Sequence, residues 1–286
     1  MKAFKKLLVT FVLAIAALTA GAQDEVIRLY DGPAPGSEDW DWEEGIFGDM
    51  ITGVAKPTLT VYRPENPNGV AMVVCPGGAF CFICFDREGD WISRVYNSWG
   101  ITCFVLKYRV YHDDDQDRMV SDLMAGKMDS VSTNVIPMAL EDAANAVRYV
   151  RTHAADYGID PDKIGLSGSS AGGTITMGTA MKYTDDDCRP NFAVVTYPYL
   201  SPHIMREGPT KPLPLFIATA TDDAIISVSS SLEFYRFWLE KGQKTEMHLF
   251  QKGNHGFIGH DLNLAVEHWT DNLLLWFRDT YPDNFK

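Results

Sequence analysis

Apolar and polar residues alternate over two short stretches near the start of the chain, residues 26–30 and 58–62, as they do in half-exposed edge strands. Six later stretches are mostly continuous apolar runs: residues 70–75, 101–106, 163–166, 193–197, 215–218 and 245–250. Such runs suit parallel strands buried on both faces of a sheet. Helical patterns lie between them. The clearest spans 137–157, where Leu140, Ala143, Ala144, Val147 and Val150 form one stripe, Pro137 suits the first turn and Gly158 the stop. Further helices are predicted over 89–98, 170–182, 229–241 and 262–278. Strands alternating with helices of this length imply βαβ units. The predicted class is α/β: a mostly parallel central sheet with helices on both faces and antiparallel edge strands at the N-terminal end. Residues 109–136 and 201–213 fit neither period. The first is rich in acid, including Asp113, Asp114, Asp115 and Asp117, and reads as a solvated loop, because no calcium-loop spacing is present.

The first residues carry a different pattern. Lys2, Lys5 and Lys6 precede an apolar stretch over 7–18, broken only by Thr10, and Ala20-Gly21-Ala22 forms a small-x-small cleavage site. This is the layout of a secretory signal peptide, and the apolar run is too short for a permanent membrane anchor. The expected organisation is therefore a leader over 1–22 and one domain over 23–286, exported to the periplasm or secreted. No other stretch is long and apolar enough to span a membrane.

Composition then limits the partners. The 286 residues are 46% hydrophobic, too apolar for a disordered chain. Lys+Arg number 25 against 38 Asp+Glu, a formal charge of −13. Removing the leader deletes three lysines and leaves 264 residues at −16. Nucleic-acid backbones and anionic membrane surfaces both need clustered positive charge, so neither is an expected partner. Five cysteines remain, an odd number. Cys75 and Cys103 fall in strand-like runs and read as small core residues. Cys81 and Cys84 form a lone CxxC among apolar neighbours, a weak signal for zinc or redox work. Cys188 has no evident partner.

The strongest chemical signal is Gly168-Ser169-Ser170-Ala171-Gly172-Gly173, a Gly-x-Ser-x-Gly centred on Ser170 between a predicted strand and a predicted helix. That strand–turn–helix setting is what a nucleophile elbow requires. Ser167 and Ser169 lack glycines at the right spacing. A serine needs a base, and Gly253-Asn254-His255-Gly256-Phe257 supplies His255 in a Gly-bracketed loop after a late strand. His248, inside a strand pattern, reads as structural, while His260 and His268 stay open as bases. Thr221-Asp222-Asp223 follows the strand at 215–218 and offers an acid to orient the imidazole, and spacing alone does not choose between Asp222 and Asp223. Cys75-Pro76-Gly77-Gly78-Ala79-Phe80 ends the strand at 70–75 and exposes backbone N–H groups. Those of Gly78 and Ala79, with that of Ala171, are the expected oxyanion donors. No metal or organic cofactor is called for.

Taken together, these motifs resemble the α/β-hydrolase family of exported bacterial acetyl esterases and acetyl xylan esterases. The order Ser170, acid, His255 is the order of that fold, and Pro76-Gly77-Gly78 stands where its esterases carry an HGGG-type loop. Residues 29–36, 56–62, 75–80, 105–109, 168–173 and 253–257 carry the likeness, across nearly all of 23–286. The resemblance implies Ser170 as nucleophile, His255 as base and Asp223 as acid, since the family's acid stands just before an apolar pair, here Ile225-Ile226. It implies an acetylated carbohydrate or another small ester as substrate, with Trp40, Trp42, Phe80 and Phe82 as candidates for sugar stacking. Two departures are visible. Ala79 replaces a third glycine, and Ser169 stands where the family carries a bulky residue, which predicts a roomier or wetter pocket there. A serine exopeptidase shares the fold, and Lys107 or Arg109 could anchor its substrate's carboxylate, although structural ion pairs suit both residues better. A non-catalytic carbohydrate-binding homologue is the reading from another class.

Overall fold

The computed structural model describes residues 25–127, 130, 132–204 and 207–286, so the leader expected over 1–22 lies outside the described residues. The strands are β1 (Glu25–Arg28), β2 (Gly45–Phe47), β3 (Met50–Thr52), β4 (Thr58–Tyr62), β5 (Ala71–Cys75), β6 (Phe82–Ile83), β7 (Thr102–Lys107), β8 (Ile164–Ser169), β9 (Phe192–Thr196), β10 (Leu215–Ala220) and β11 (Thr245–Phe250). The described helices are α1 (Ile92–Ser98), α2 (Gln116–Met124), α3 (Val135–Thr152), α4 (Ala171–Met181), α5 (Ser229–Glu240) and α6 (Trp269–Thr280). Eight strands form one sheet in the order β1-β4-β7-β5-β8-β9-β10-β11. β1 and β4 are antiparallel to their neighbours and the rest run parallel, as predicted. Exposure differs from the pattern at two strands: β4, expected at an edge, is buried between β1 and β7, and β11, expected to be buried on both faces, is the other edge and partly exposed.

Side chains two apart along a strand share a face. Ala71, Val73 and Cys75 of β5 and Phe104 and Leu106 of β7 therefore face the α3, α4 and α5 side with Val147, Ile175 and Phe234. Met72, Val74, Cys103 and Val105 face the opposite side with Ile92 and Tyr96 of α1 and Leu273 and Phe277 of α6. Every residue of α4 is buried, because it lies under α3 as well as against the sheet. All five cysteines are free thiols, four of them buried.

Register decides where the loops meet. Cys75 pairs with Gly168, Ser169 with Thr196, and Ala220 with Phe250. The turns after β5, β8, β10 and β11 thus leave the same edge of the sheet, where ligands of open α/β folds bind.

Among its described residues, the stretch 109–136 is not only a solvated loop. It contains α2, started by Asp115, whose carboxylate accepts the N–H of Arg118 at 3.0 Å, while Asp113 grips the Arg118 guanidinium. The acids that looked like loop composition are a helix cap and an ion pair. Met119, Val120 and Leu123 pack on Cys81, Phe82, Phe47 and Met50, closing a small sheet in the order β2-β3-β6 that the sequence pattern did not predict. Helix ends also shift. α3 stops at Thr152, followed by a 3₁₀ turn and Gly158 at φ +65°. The stretch predicted as one helix over 262–278 is a 3₁₀ turn, Ala265–His268, before α6.

The two basic residues at the end of β7 and just past it, Lys107 and Arg109, form structural ion pairs. Lys107 Nζ lies 2.6 Å from Glu44. Arg109 is fully buried and grips the equally buried Asp142 of α3 at 2.8 Å, with Glu141 at 3.3 Å.

Candidate active site

The backbone at Ser170 turns sharply between β8 and α4, with φ +53° and ψ −119°. Strain of this kind in a non-glycine residue persists only where its surroundings hold it. Here the Ser170 N–H donates to Thr196 O at 3.1 Å. A Cβ on Gly172 would lie 1.9 Å from Cys75 O, so glycine is obligatory for α4 to start this close to β5. The elbow motif is thus a packing requirement as well as a chemical one. The rival serines are engaged elsewhere: Ser167 Oγ is 3.0 Å from Tyr96 Oη, and Ser169 donates to Glu88.

His255 comes from the loop after β11. Its Nε2 is 3.0 Å from Ser170 Oγ and its Nδ1 is 2.8 Å from Asp223 Oδ2. The other histidines considered lie apart from Ser170: His248 pairs with Glu246, His268 with Asp271, and His260 with Arg87. Asp223 also accepts the N–H groups of Ile225 at 2.9 Å and Ile226 at 2.8 Å. Burial pushes its carboxyl up, but the hydrogen bonds from His255 and from these two amides hold it below the ordinary value. Asp222 points elsewhere and accepts the Asn254 N–H at 2.7 Å. Asn254 returns the contact, its Oδ1 accepting the Ala224 N–H at 3.1 Å. The loops carrying Asp223 and His255 are therefore clasped to each other. Asn254 was not foreseen from sequence, although its place directly before His255 was a usable signal.

Beside the elbow, the turn after β5 runs through three positive φ values, Gly78 at +133°, Ala79 at +55° and Phe80 at +62°. The Gly78 carbonyl closes it by accepting from Cys81 at 3.0 Å and Phe82 at 2.8 Å. Among the described residues the N–H groups of Gly78, Ala79 and Ala171 have no protein acceptor, and that of Ala171 sits at a helix N-terminus, where negative charge is favoured. The neighbouring Gly77 N–H, in contrast, donates to Glu88 Oε2 at 2.6 Å.

Two expectations need correction. The surroundings of Ser169 are neither roomier nor wetter: it is 2% exposed and its hydroxyl is spent on the Glu88 carboxylate. Phe80 and Phe82 are core residues, buried by the tight turn and the small sheet, and present no face to a sugar. Trp42 stacks on His112 and meets Trp40 at a 32° tilt, with ring centroids 4.7 Å apart in both pairs. Trp40 lines a cavity of about 410 Å³ with Tyr30, Asp31, Glu38 and Lys56.

What this arrangement can do is transfer a proton between Ser170 and His255, with Asp223 opposite and unpaired N–H groups alongside. No described helix is long and apolar enough to cross a membrane.

Comparison with known proteins agrees with this fold. A family model described as alpha/beta hydrolase fold matches residues 132–212. Acetylxylan esterase of Xylanibacter ruminicola is 26% identical over 234 residues, 71% of this chain and 44% of that protein. Endo-1,4-beta-xylanase B of Butyrivibrio fibrisolvens is 24% identical over 251 residues, 75% of this chain and 37% of that protein. The chain thus spans less than half the length of these two relatives. In three dimensions, the acetyl ester-xyloside bifunctional hydrolase of Caldicellulosiruptor lactoaceticus superposes with a TM-score of 0.64 at 24% identity, over 92% of this chain and 98% of that one. The chain has the α/β-hydrolase fold, and its relatives include carboxylic ester hydrolases.

Proposed function

We propose that the chain is an exported serine esterase that removes acetyl groups from carbohydrate of the xylan type. The observation that carries the chemistry is the contiguous line from Asp223 through His255 to Ser170, at 2.8 and 3.0 Å. Ser170 Oγ attacks the ester carbonyl carbon while His255 Nε2 takes its proton. Asp223 fixes the tautomer that leaves Nε2 free to accept, and offsets the positive charge of the imidazolium. The carbonyl oxygen, now anionic, accepts from the N–H groups of Gly78, Ala79 and Ala171, each such donor being worth about 3 kcal/mol in the transition state. His255 returns the proton to the departing sugar oxygen, leaving an acyl-serine. Water then attacks that ester, giving up a proton to His255, which passes it to Ser170 Oγ as the acyl–oxygen bond breaks and acetate leaves.

The substrate assignment is supported by the relatives, one named for acetylxylan and another for xylan itself. The exopeptidase reading loses its anchor, because Lys107 and Arg109 already hold Glu44 and Asp142. The test is turnover of an aryl acetate, longer aryl esters, acetylated xylan and aminoacyl amides by the purified chain and by Ser170→Ala. Acetate release from xylan, abolished in Ser170→Ala, is the expected result. Equal turnover by both proteins refutes the mechanism. Preference for amides favours the peptidase, and no turnover at all favours a binding module.

A further inference from the structure

A second carboxylate is built into the floor of this site. Glu88 lies on a π-helical segment, Asp86–Trp91, that runs into α1. Its side chain turns inward and the residue is only 9% exposed. Three donors from three different parts of the sheet edge converge on its two oxygens. Gly77 N–H, in the turn after β5, donates to Oε2 at 2.6 Å. The hydroxyl of Ser169, the last residue of β8, donates to the same oxygen. Tyr197, just past β9, donates its hydroxyl to Oε1 at 3.0 Å. An ionised carboxylate accepts all three, since it offers about four lone-pair sites and no donor.

Each donor adjoins a part of the proposed machinery. Gly77 precedes the oxyanion donor Gly78, and Ser169 precedes Ser170. The Tyr197 ring lies 4.7 Å from the His255 imidazole and backs it, with Phe257 packed edge-on at 4.8 Å. The approach is close enough to constrain sequence: a Cβ on Gly77 would lie 2.5 Å from Glu88 Oε2. Burial, then the Glu88 charge, pushes the Tyr197 hydroxyl well above its ordinary pKa, so it remains a donor. π-Helical segments are rare and recur at functional sites.

We infer that Glu88 is a positioning residue for the acyl transfer proposed above, holding the oxyanion turn, the nucleophile strand and the ring behind the imidazole to one point. The inference rests on that esterase reading. A 1 Å displacement in such a site costs about 100-fold in rate. Glutamine at this position keeps the shape but offers one acceptor oxygen and a donor that faces other donors.

The test compares wild type, Ser170→Ala, Glu88→Gln, Ser169→Ala, Tyr197→Phe and the Glu88→Gln/Ser169→Ala and Ser169→Ala/Tyr197→Phe double variants on an aryl acetate, with a melting curve for each. Glu88→Gln is expected to lower kcat between about 10- and 100-fold with KM within about twofold, the split of an interaction that matters in the transition state. Adding Ser169→Ala to Glu88→Gln is expected to cost little more, because both remove the same latch. A folded Glu88→Gln with kcat within about twofold of wild type overturns the inference, as does a rise in KM that accounts for the whole loss of kcat/KM. Should Glu88→Gln not fold, the Ser169→Ala/Tyr197→Phe double variant decides: a kcat loss of about tenfold or more supports the latch, and unchanged kcat overturns it. A Ser170→Ala variant as active as wild type refutes the esterase reading itself, whereas an inactive Ser170→Ala beside a fully active Glu88→Gln overturns only the role of Glu88.

Discussion

Asp222 and Asp223 are neighbours after β10 that grip different atoms of one loop: Asp223 Oδ2 meets His255 Nδ1 at 2.8 Å, and Asp222 Oδ1 takes the Asn254 N–H at 2.7 Å. The two substitutions to asparagine should therefore separate. Asp223→Asn places an amide against Nδ1, removes the charge that offsets the imidazolium and permits the wrong tautomer. A loss of about 10⁴ in kcat is expected, as in serine hydrolases whose triad acid becomes an amide. Asp222→Asn keeps a carbonyl oxygen for Asn254 and should cost less than about tenfold. Steady-state kinetics on an aryl acetate check both, and the reverse ranking would assign the acid to Asp222.

The pH dependence of stability follows from the same carboxylate. The hydrogen bonds from His255, Ile226 and Ile225 outweigh burial and hold the Asp223 carboxyl below its ordinary value. A depressed native pKa means that the unfolded chain takes up the proton first as pH falls. The stabilisation is therefore complete above the unfolded carboxyl pKa of about 3.9 and is lost as pH drops through the lower native value. Melting curves of wild type and Asp223→Asn should differ most above pH ~5 and converge toward pH ~3. A gap that widens on acidification contradicts this sign.

Why Ser170 and His255 were legible in sequence while Glu88 was not is a matter of range. The elbow must be glycine-flanked because Gly172 abuts Cys75 O, so local sequence carries the packing rule. The buried parallel strands had to be apolar on both faces, and that too is local. Glu88 sits in the polar run Asp86-Arg87-Glu88, and its partners lie 11, 81 and 109 residues away. Nothing near it announces burial. Asp222 and Asp223 could not be separated by spacing, because adjacent residues on a tight turn point in different directions. β2, β3 and β6 are two or three residues long, too short for any period to show. α2 was hidden because its cap and ion-pair acids have the composition of a loop.

The turn after β5, proposed above to hold the oxyanion, makes a prediction from backbone geometry. A Cβ on Gly78, at φ +133°, would lie 2.1 Å from Phe82 O, so Gly78→Ala must break the turn that presents the donors. At least a 100-fold loss of kcat/KM is expected, roughly one donor's worth. Ala79, at φ +55°, already pays for a left-handed conformation. Ala79→Gly relieves that strain and keeps the N–H, so activity should stay within about threefold, with stability changed by no more than about 1 kcal/mol. Kinetics and thermal unfolding of the pair check this, and a severe loss in Ala79→Gly would show that its methyl group shapes the site.

Arg109 and Asp142 test the fold independently of catalysis. Both side chains are fully buried and joined at 2.8 Å. Asp142 also accepts the Arg109 N–H at 3.0 Å and the Tyr30 hydroxyl at 2.7 Å. Asp142→Ala takes the fully buried carboxylate from a guanidinium that keeps Glu141 at 3.3 Å and the carbonyls of Pro35 and Met138, and should cost about 3 kcal/mol, the low end of the usual penalty for breaking a buried pair. In a chain of this size that is a fall of about 10 °C in Tm. The Arg109→Met/Asp142→Leu double variant removes both charges and should recover much of it. If the double variant loses the sum of the two single losses, the pair is not coupled.

The sugar-binding expectation now rests on Trp40 alone among the aromatic candidates that reach a cavity. Thr58, which lines that cavity, begins β4 and pairs with Lys107 at the C-terminal end of β7. The cavity therefore lies toward the same edge of the sheet as Ser170. From β4 to β8 is three strand spacings, through β7 and β5, or about 14 Å at the usual spacing. One face of Trp40 is covered by Trp42, and Asp31, Glu38 and Lys56 supply hydroxyl partners around the cavity. An acetylated chain long enough to reach from the nucleophile to this ring should bind through both, whereas a small ester uses only the first. Trp40→Ala is expected to raise KM on acetylated xylo-oligosaccharides by about 5–20-fold, the worth of one aromatic stacking platform, and to leave aryl acetate kinetics unchanged. Equal KM values on the oligosaccharide would place the sugar elsewhere on the edge. A parallel loss on aryl acetate would mean that Trp40 supports the fold and not the substrate.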